Sequence, residues 1–329
     1  MNDLIDGVRK IQVPTPFPVG DVNCYLIEGE PLTLIDVGPQ TSKSLAEVER
    51  QIRSRSYELS DIEQILLTHG HIDHIGLAAQ FVEARVRSHK DPTEVWIHHK
   101  DAEAVLNYQR YAERYEEFYD ELITVSGVPE KETMMVQRKR ITEFFKSLVG
   151  SVPTAHSFEN HASFITGIGE LSTIWVPGHS SGSTCYVCDE KRVIFSGDHI
   201  LGNISSNPSI AFDNSEGIGM LTYLNSLDRI LSKDGYVALP GHREPVLDIK
   251  ARVEALRTEY DDKIHKAADL ITDIPKTVYE VSRLIYGDYD ASSLILALAE
   301  SRDLLRILEK RNQAELINKN GVIYAVRNH

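Results

Sequence analysis

Short apolar runs broken by polar turns mark the first hundred residues. Asn23 to Glu28 and Leu32 to Asp36 flank Glu28-Gly29-Glu30-Pro31, the pattern of a β-hairpin. Ser42 to Arg53 sets Leu45, Val48 and Ile52 at helical spacing, with Ser42 as the candidate cap. Ile65-Leu66-Leu67-Thr68 reads as a buried strand running into His69, Ile75 to Val86 as a helix, and Val95-Trp96-Ile97 as another strand. Strand patterns return at Leu171–Val176, Ser183–Val187, Arg192–Ser196 and Tyr236–Leu239. Strands alternating with helices predict an α/β layer architecture.

Two stretches depart from that rhythm. From about residue 100 to 150 the chain is charged, aromatic and helical in period, an insertion between strands. There Tyr108, Tyr111, Tyr115, Phe118 and Tyr119 fall close to one helix face. Such a stripe either packs on the sheet or a dimer partner, or forms a helical lid over a pocket, with Tyr111 and Tyr115 as the lid's candidate substrate contacts. After Pro245 the pattern turns helical over Ile249–Leu270, Thr277–Tyr286 and Ser292–Lys310. A hairpin over Glu315–Tyr324 follows, with Asn320-Gly321 at its tip. The expected division is residues 1–245 and 246–329.

The 329 residues carry 35 Lys+Arg against 49 Asp+Glu, a net charge of −14. Residues 246–329 hold 13 Lys+Arg and 14 Asp+Glu, so the acidic excess belongs to the first unit. That excess weighs against nucleic acid as a partner, because phosphate binding rests on clustered cations. No run reaches the ~18–20 apolar residues of a membrane span. The first residues are acidic where a secretory signal would be basic, and three cysteines cannot build a disulfide framework. A cytoplasmic protein is expected.

The histidines change the picture. His69-Gly70-His71-Ile72-Asp73-His74 packs three imidazoles and a carboxylate into six residues after an apolar strand. Pro177-Gly178-His179, Ser196-Gly197-Asp198 and Pro240-Gly241-His242 each follow another strand pattern. Strand ends at one edge of an α/β sheet are where ligands distant in sequence meet. Imidazole and carboxylate suit borderline-soft and harder divalent ions, and seven such groups exceed what one tetrahedral zinc needs. They suit two ions that share a bridging carboxylate and hydroxide.

This cluster, with His179, Asp198 and His242 in order and Leu34-Ile35-Asp36-Val37-Gly38 ahead of it, resembles the metallo-β-lactamase superfamily over roughly residues 10–245. The resemblance implies a four-layer αββα sandwich. It implies His69, His71 and His179 on one metal, Asp73, His74 and His242 on the other, Asp198 bridging, and Asp36 orienting a ligand. The cofactors implied are two divalent ions, zinc first, with iron or manganese also suited. The C-terminal helices and wing resemble the β-lactamase-like protein 2 branch, a winged-helix-like unit behind the hydrolase, though the 100–150 insertion departs from its compact members.

The expected activity is hydrolysis of a small-molecule ester or thioester by a hydroxide activated between the two ions, with Asp73 also steering a proton. The alternatives are a phosphodiesterase or endoribonuclease of the same superfamily and, behind it, a mononuclear iron persulfide dioxygenase. For a nuclease, Arg302, Arg306 and Lys310 lie at helical spacing near the wing, but they interleave with Asp303 and Glu309 as a solvated face does. Cys185-Tyr186-Val187-Cys188 lies in a strand pattern, where residues three apart face opposite sides, so neither a redox pair nor a zinc site is expected. Ser180, Ser181 and Ser183 beside His179 lack a nucleophile-elbow sequence. His98, His99 and His199 are read as structural.

Overall fold

The structure, a computed structural model, describes residues 5–130, 138–208, 217–289 and 293–328. Residues 131–137 of the expected insertion, and Met1–Leu4, lie outside them. Six strands form the first sheet in the order β1 (Val8–Val13), β2 (Val22–Ile27), β3 (Thr33–Ile35), β4 (Gln64–Leu66), β5 (Glu94–His98) and β6 (His156–Phe158). β1–β3 pair antiparallel, and β3 through β6 pair parallel. The second sheet runs β11 (Val237–Pro240), β10 (Val193–Gly197), β9 (Thr184–Cys188), β8 (Gly169–Trp175), β7 (Ser163–Thr166), with only β10 and β11 parallel.

The strand period of two sorts the side chains between the layers. Ile35 and Leu66 face the second sheet and pack with Tyr186, Phe195 and Leu239. Their neighbours Leu34 and Ile65 face outward, onto α1 (Ser42–Arg53) and α3 (Ala78–Arg87) through Val48, Ile52 and Phe81. On the far side, Cys185 and Val187 pack with Tyr223 of α7 (Gly219–Ser226) and with Leu256 and Tyr260 of α8 (Ile249–Leu270). Helices, sheet, sheet and helices make the four-layer αββα sandwich. Strands buried on both faces read as continuous apolar runs, which is why they are visible in the sequence. Cys185 and Cys188 lie in different cores, so the C-x-x-C pair diverges.

Local differences from expectation have local causes. The cap of α1 is Thr41, whose side chain accepts from the Ser44 N–H, rather than Ser42. The expected helix over 75–86 is α3, which begins at Ala78, while Ile75 closes the single turn of α2 (Ile72–Ile75). A side chain at Gly76 between them would stand 2.4 Å from the Leu148 carbonyl and 2.6 Å from Gln40 N.

The insertion forms α4 (Ala102–Leu106), α5 (Tyr108–Ser126) and α6 (Arg138–Ser147), with Gly127 at φ 72° ending α5. Behind the sandwich, β12 (Lys276–Thr277), α9 (Val278–Tyr286), α10 (Leu294–Lys310), β13 (Ala314–Lys319) and β14 (Val322–Arg327) follow α8. These three strands pair in the order β12-β14-β13, with Asn320 and Gly321 both at positive φ in the hairpin tip. Leu122 and Ile123 of α5 pack on Leu294, Leu298 and Ala299 of α10, which ties the insertion to the C-terminal helices. No helix among the described residues is long and apolar enough to cross a membrane.

Candidate metal centre

Five strand ends converge on one edge of the sandwich. β3 delivers Asp36, β4 delivers Thr68 and His69, and β8, β10 and β11 deliver His179, Asp198 and His242. The single turn of α2, entered at His71, presents Asp73 and His74. The peptide N–H of Val37 bonds the His74 carbonyl at 2.9 Å, which joins that turn to the Asp36 loop. Gly241 lets the last loop approach: a side chain there would stand 2.4 Å from Asp198 Oδ1 and 2.6 Å from the His74 ring.

The side chains meet in two groups, His69-His71-His179 and Asp73-His74-His242, which a third set, His69, His74 and Asp198, joins. His69 Nε2 lies 3.1 Å from His71 Nδ1 and 3.2 Å from His179 Nε2. Tetrahedral ligands at zinc–nitrogen distances of ~2.0–2.1 Å would stand roughly 3.3 Å apart, so this spacing fits one ion. In the second group His242 Nε2 lies 3.3 Å from Asp73 Oδ2, and His74 Nε2 lies 4.0 Å from Asp73 Oδ1. Asp198 reaches both groups, with Oδ2 3.7 Å from His179 Nε2 and 3.6 Å from His242 Nε2, and Oδ1 3.6 Å from His74 Nε2.

The outward ring nitrogens decide what the inward ones offer. His74 Nδ1 faces Asp36 Oδ2 at 2.8 Å, His242 Nδ1 faces the Asp21 carbonyl at 2.8 Å, and His179 Nδ1 faces the Ser206 carbonyl. These partners only accept, so each Nδ1 carries a proton and each Nε2 is the atom turned inward. For His69 the relay is one atom longer: Thr68 Oγ1 donates to Asp36 Oδ2 at 2.8 Å and accepts from His69 Nδ1 at 3.0 Å. Asp36, in the left-handed region at φ 57°, thereby orients two imidazoles. Ligating histidines generally have their far nitrogen fixed in this way.

Three inward atoms, His74 Nε2, His242 Nε2 and Asp198 Oδ1, are buried with no hydrogen-bond partner among the described residues. Buried polar atoms converging without partners are costly unless a cation meets them, and this imidazole–carboxylate set fits divalent metal. The proton equilibria agree. Burial, then neighbouring imidazoles, holds His69 well below its usual range; burial brings His71 down to about 3 and lowers His179. All three stay neutral, the form that binds metal. Burial also opposes charge on His74 and His242, yet Asp36, Asp198 and Asp73 raise His74 to about 10, and Asp198 and Asp73 raise His242. For Asp73 and Asp198, burial is outweighed by the surrounding imidazoles and both carboxyls are lowered. The pocket is negative and takes up positive charge.

Thus His69, His71, Asp73, His74, His179, Asp198 and His242 come together, with Asp36 behind them. Sequence reasoning misses Thr68, whose only signal is its place before His69, and Asn23. Asn23 Nδ2 donates to the Pro240 and Arg243 carbonyls at 3.0 and 2.8 Å and holds the His242 loop. Tyr111 is buried in the core beside Val105 and Ala112, and its hydroxyl shares a hydrogen bond with Tyr115. Tyr108 lies nearer the centre: burial, then Tyr119 and the Asp73 carboxylate, raises its phenol. His98 stacks on Trp175 with ring centroids 5.5 Å apart and bonds Asn160. His199 packs edge-on against Tyr223.

The family model described as the metallo-beta-lactamase superfamily matches residues 17–242. The probable metallo-hydrolase YqjP of Bacillus subtilis (strain 168) is 28% identical over 92% of each chain. The beta-lactamase-like protein 2 homolog of Caenorhabditis elegans is 23% identical over 95% of this chain and 87% of that one. The atrochrysone carboxyl ACP thioesterase of Claviceps purpurea (strain 20.1) is 27% identical over 40% of this chain and 42% of its own. A crystal structure of a metallo-beta-lactamase family protein from Thermus thermophilus has the same fold, with a TM-score of 0.83 at 23% identity, covering 99% of this chain and all of that one. With the family model covering more than half its length, the chain belongs to the metallo-beta-lactamase superfamily and is a metallohydrolase of that fold.

Proposed function

We propose that this enzyme hydrolyses the ester or thioester bond of a small molecule at a centre of two divalent cations, zinc before iron or manganese. The observation that carries the reading is the convergence of imidazole and carboxylate atoms, three of them without a hydrogen-bond partner among the described residues, in three overlapping groups. His69, His71 and His179 would hold one cation, Asp73, His74 and His242 the other, and Asp198 would stand between them. Such ions lower the pKa of water from about 15.7 toward ~7 and polarise a carbonyl oxygen.

The remaining work falls to the chain. Asp36 keeps the tautomers of His69 and His74 through Thr68 and directly. Asp73 keeps 12% of its side chain exposed and would steer a proton rather than hold it, since burial is outweighed by the imidazoles around it, which lower its carboxyl. Tyr108 and Tyr111 are buried in the core of the first sheet with Tyr115 packed against them, which favours packing over a lid for this stripe. A cytoplasmic, reducing setting agrees with three buried cysteines that form no disulfide.

Thioester or ester chemistry is favoured over phosphodiester cleavage by the name of the Claviceps relative and by the C-terminal cations. Arg302 is spent over the Phe118 ring at 5.3 Å and Arg306 on Asp303 at 3.6 Å, so neither is free to track a phosphate backbone. We read the winged-helix-like unit as a brace for the insertion. A panel of an acyl thioester, a lactone, bis(p-nitrophenyl) phosphate, single-stranded RNA and glutathione persulfide tests the reading. Thioester or lactone turnover that a chelator abolishes and added metal restores is expected. Turnover of the phosphodiesters alone, or oxygen consumption with the persulfide alone, would overturn it.

A further inference from the structure

Asp101 stands one 3-10 turn beyond β5, immediately before α4, where an aspartate ordinarily caps the helix. Its side chain makes no cap bond. The carboxylate, buried to 3% exposure, turns instead to the metal loops. Oδ2 accepts from Gly70 N–H at 2.8 Å and from the Ser180 hydroxyl at 2.6 Å, and Oδ1 accepts from Gly182 N–H at 2.7 Å. Gly70 separates His69 from His71, and Ser180 follows His179. One carboxylate therefore joins loops that come from different sheets and lie more than a hundred residues apart in sequence.

Both loops are shaped to receive it. A side chain at Gly182 would stand 2.6 Å from Asp101 Cγ, and one at Gly70 would stand 3.2 Å from its Cβ. Ser183 Oγ accepts from the Ser180 N–H at 3.0 Å and lies 2.8 Å from Ser180 Oγ, so the second loop is closed around the contact. The two loops also need a tether. His71 Nδ1 and His179 Nε2 lie 3.1 and 3.2 Å from His69 Nε2, a three-nitrogen spacing that only fixed loops can keep. Asp101 bonds neither the His242 loop, held by Asn23, nor the one-turn helix carrying Asp73 and His74, held by Asp36.

Resting on the metal reading above, we propose that Asp101 is a positioning residue for the three-imidazole half of the centre, fixing the His69-His71 loop against the His179 loop ahead of metal binding. The full chain, stripped by chelator and titrated with Zn²⁺ against a competing chelator, tests this, with His71→Ala and His242→Ala marking which equivalent belongs to which half. Asp101→Asn should weaken the equivalent that His71→Ala removes by about 10–100-fold, the usual cost of an outer-shell change, and leave the other unmoved. In the metal-free protein, the Gly70 and Gly182 amides should exchange faster than in the wild type. Ser180→Ala, which drops one of three bonds, should weaken the same equivalent by less, and it carries the test if Asp101→Asn does not fold. Equal weakening of both equivalents, or unchanged affinity despite faster exchange at Gly70 and Gly182, would overturn the assignment while leaving the metal reading intact. A wild-type chain that binds no Zn²⁺ would instead overturn the metal reading and this inference with it.

Discussion

The strand-end edge of the sandwich and the C-terminal helices obey different rules. In residues 246–329, Val253, Leu256, Tyr260 and Ile264 line the buried face of α8, and α9 begins with a capping box between Thr277 and Glu280. Local preference and tertiary packing agree there. At the strand ends they conflict. Asp36 and Arg243 hold left-handed backbone that side chains disfavour, and buried imidazoles and carboxylates keep atoms without partners. Buried atoms without a hydrogen-bond partner among the described residues also occur in the C-terminal helices, Ser301 Oγ and Arg302 Nε for instance, but at the strand ends imidazole and carboxylate atoms converge on one another, the pattern of a site rather than of packing.

Ligand loss should break this contrast most severely. His71→Ala or Asp198→Ala should abolish hydrolysis and one or both metal equivalents, exceeding the about 10–100-fold of an outer-shell change, as metal content and kcat/KM on the identified substrate will show. In the C-terminal core the effect should be on stability alone. Leu298→Ala, at the contact of α10 with α5, should cost about 2–5 kcal/mol by denaturant unfolding with metal stoichiometry unchanged. Asp36→Asn should lower metal affinity by about 10–100-fold in a chelator competition, since two imidazoles lose their orienting acceptor. The smallest change is Thr277→Ala, which removes half of the capping box and should cost about 1 kcal/mol by the same unfolding assay. If Leu298→Ala depleted metal as His71→Ala does, the two regions would not be separable in the way described.

The same contrast explains what can be read from the sequence. Strands buried on both faces announce themselves as apolar runs, and His69, His179, Asp198 and His242 each come soon after such a run, so they are legible as strand-end groups. α8 is legible to its end residues because its apolar period matches its packing. Less is visible where tertiary approach overrides local pattern. Gly76, between α2 and α3, leaves room for the Leu148 carbonyl, an approach that no local pattern announces. β6 and β7 are only three and four residues long and carry polar positions, too short for a period to show. Asp101 has the sequence position of a helix cap, and nothing nearby in the chain reveals that its partners are Gly70, Ser180 and Gly182.

Metal content measured together with chelator sensitivity of hydrolysis tests the central claim most directly. The account predicts about two divalent ions per purified chain, with ester or thioester turnover lost on chelation and restored by metal. A chain that binds no divalent ion, or one whose turnover is indifferent to the chelator, would contradict it.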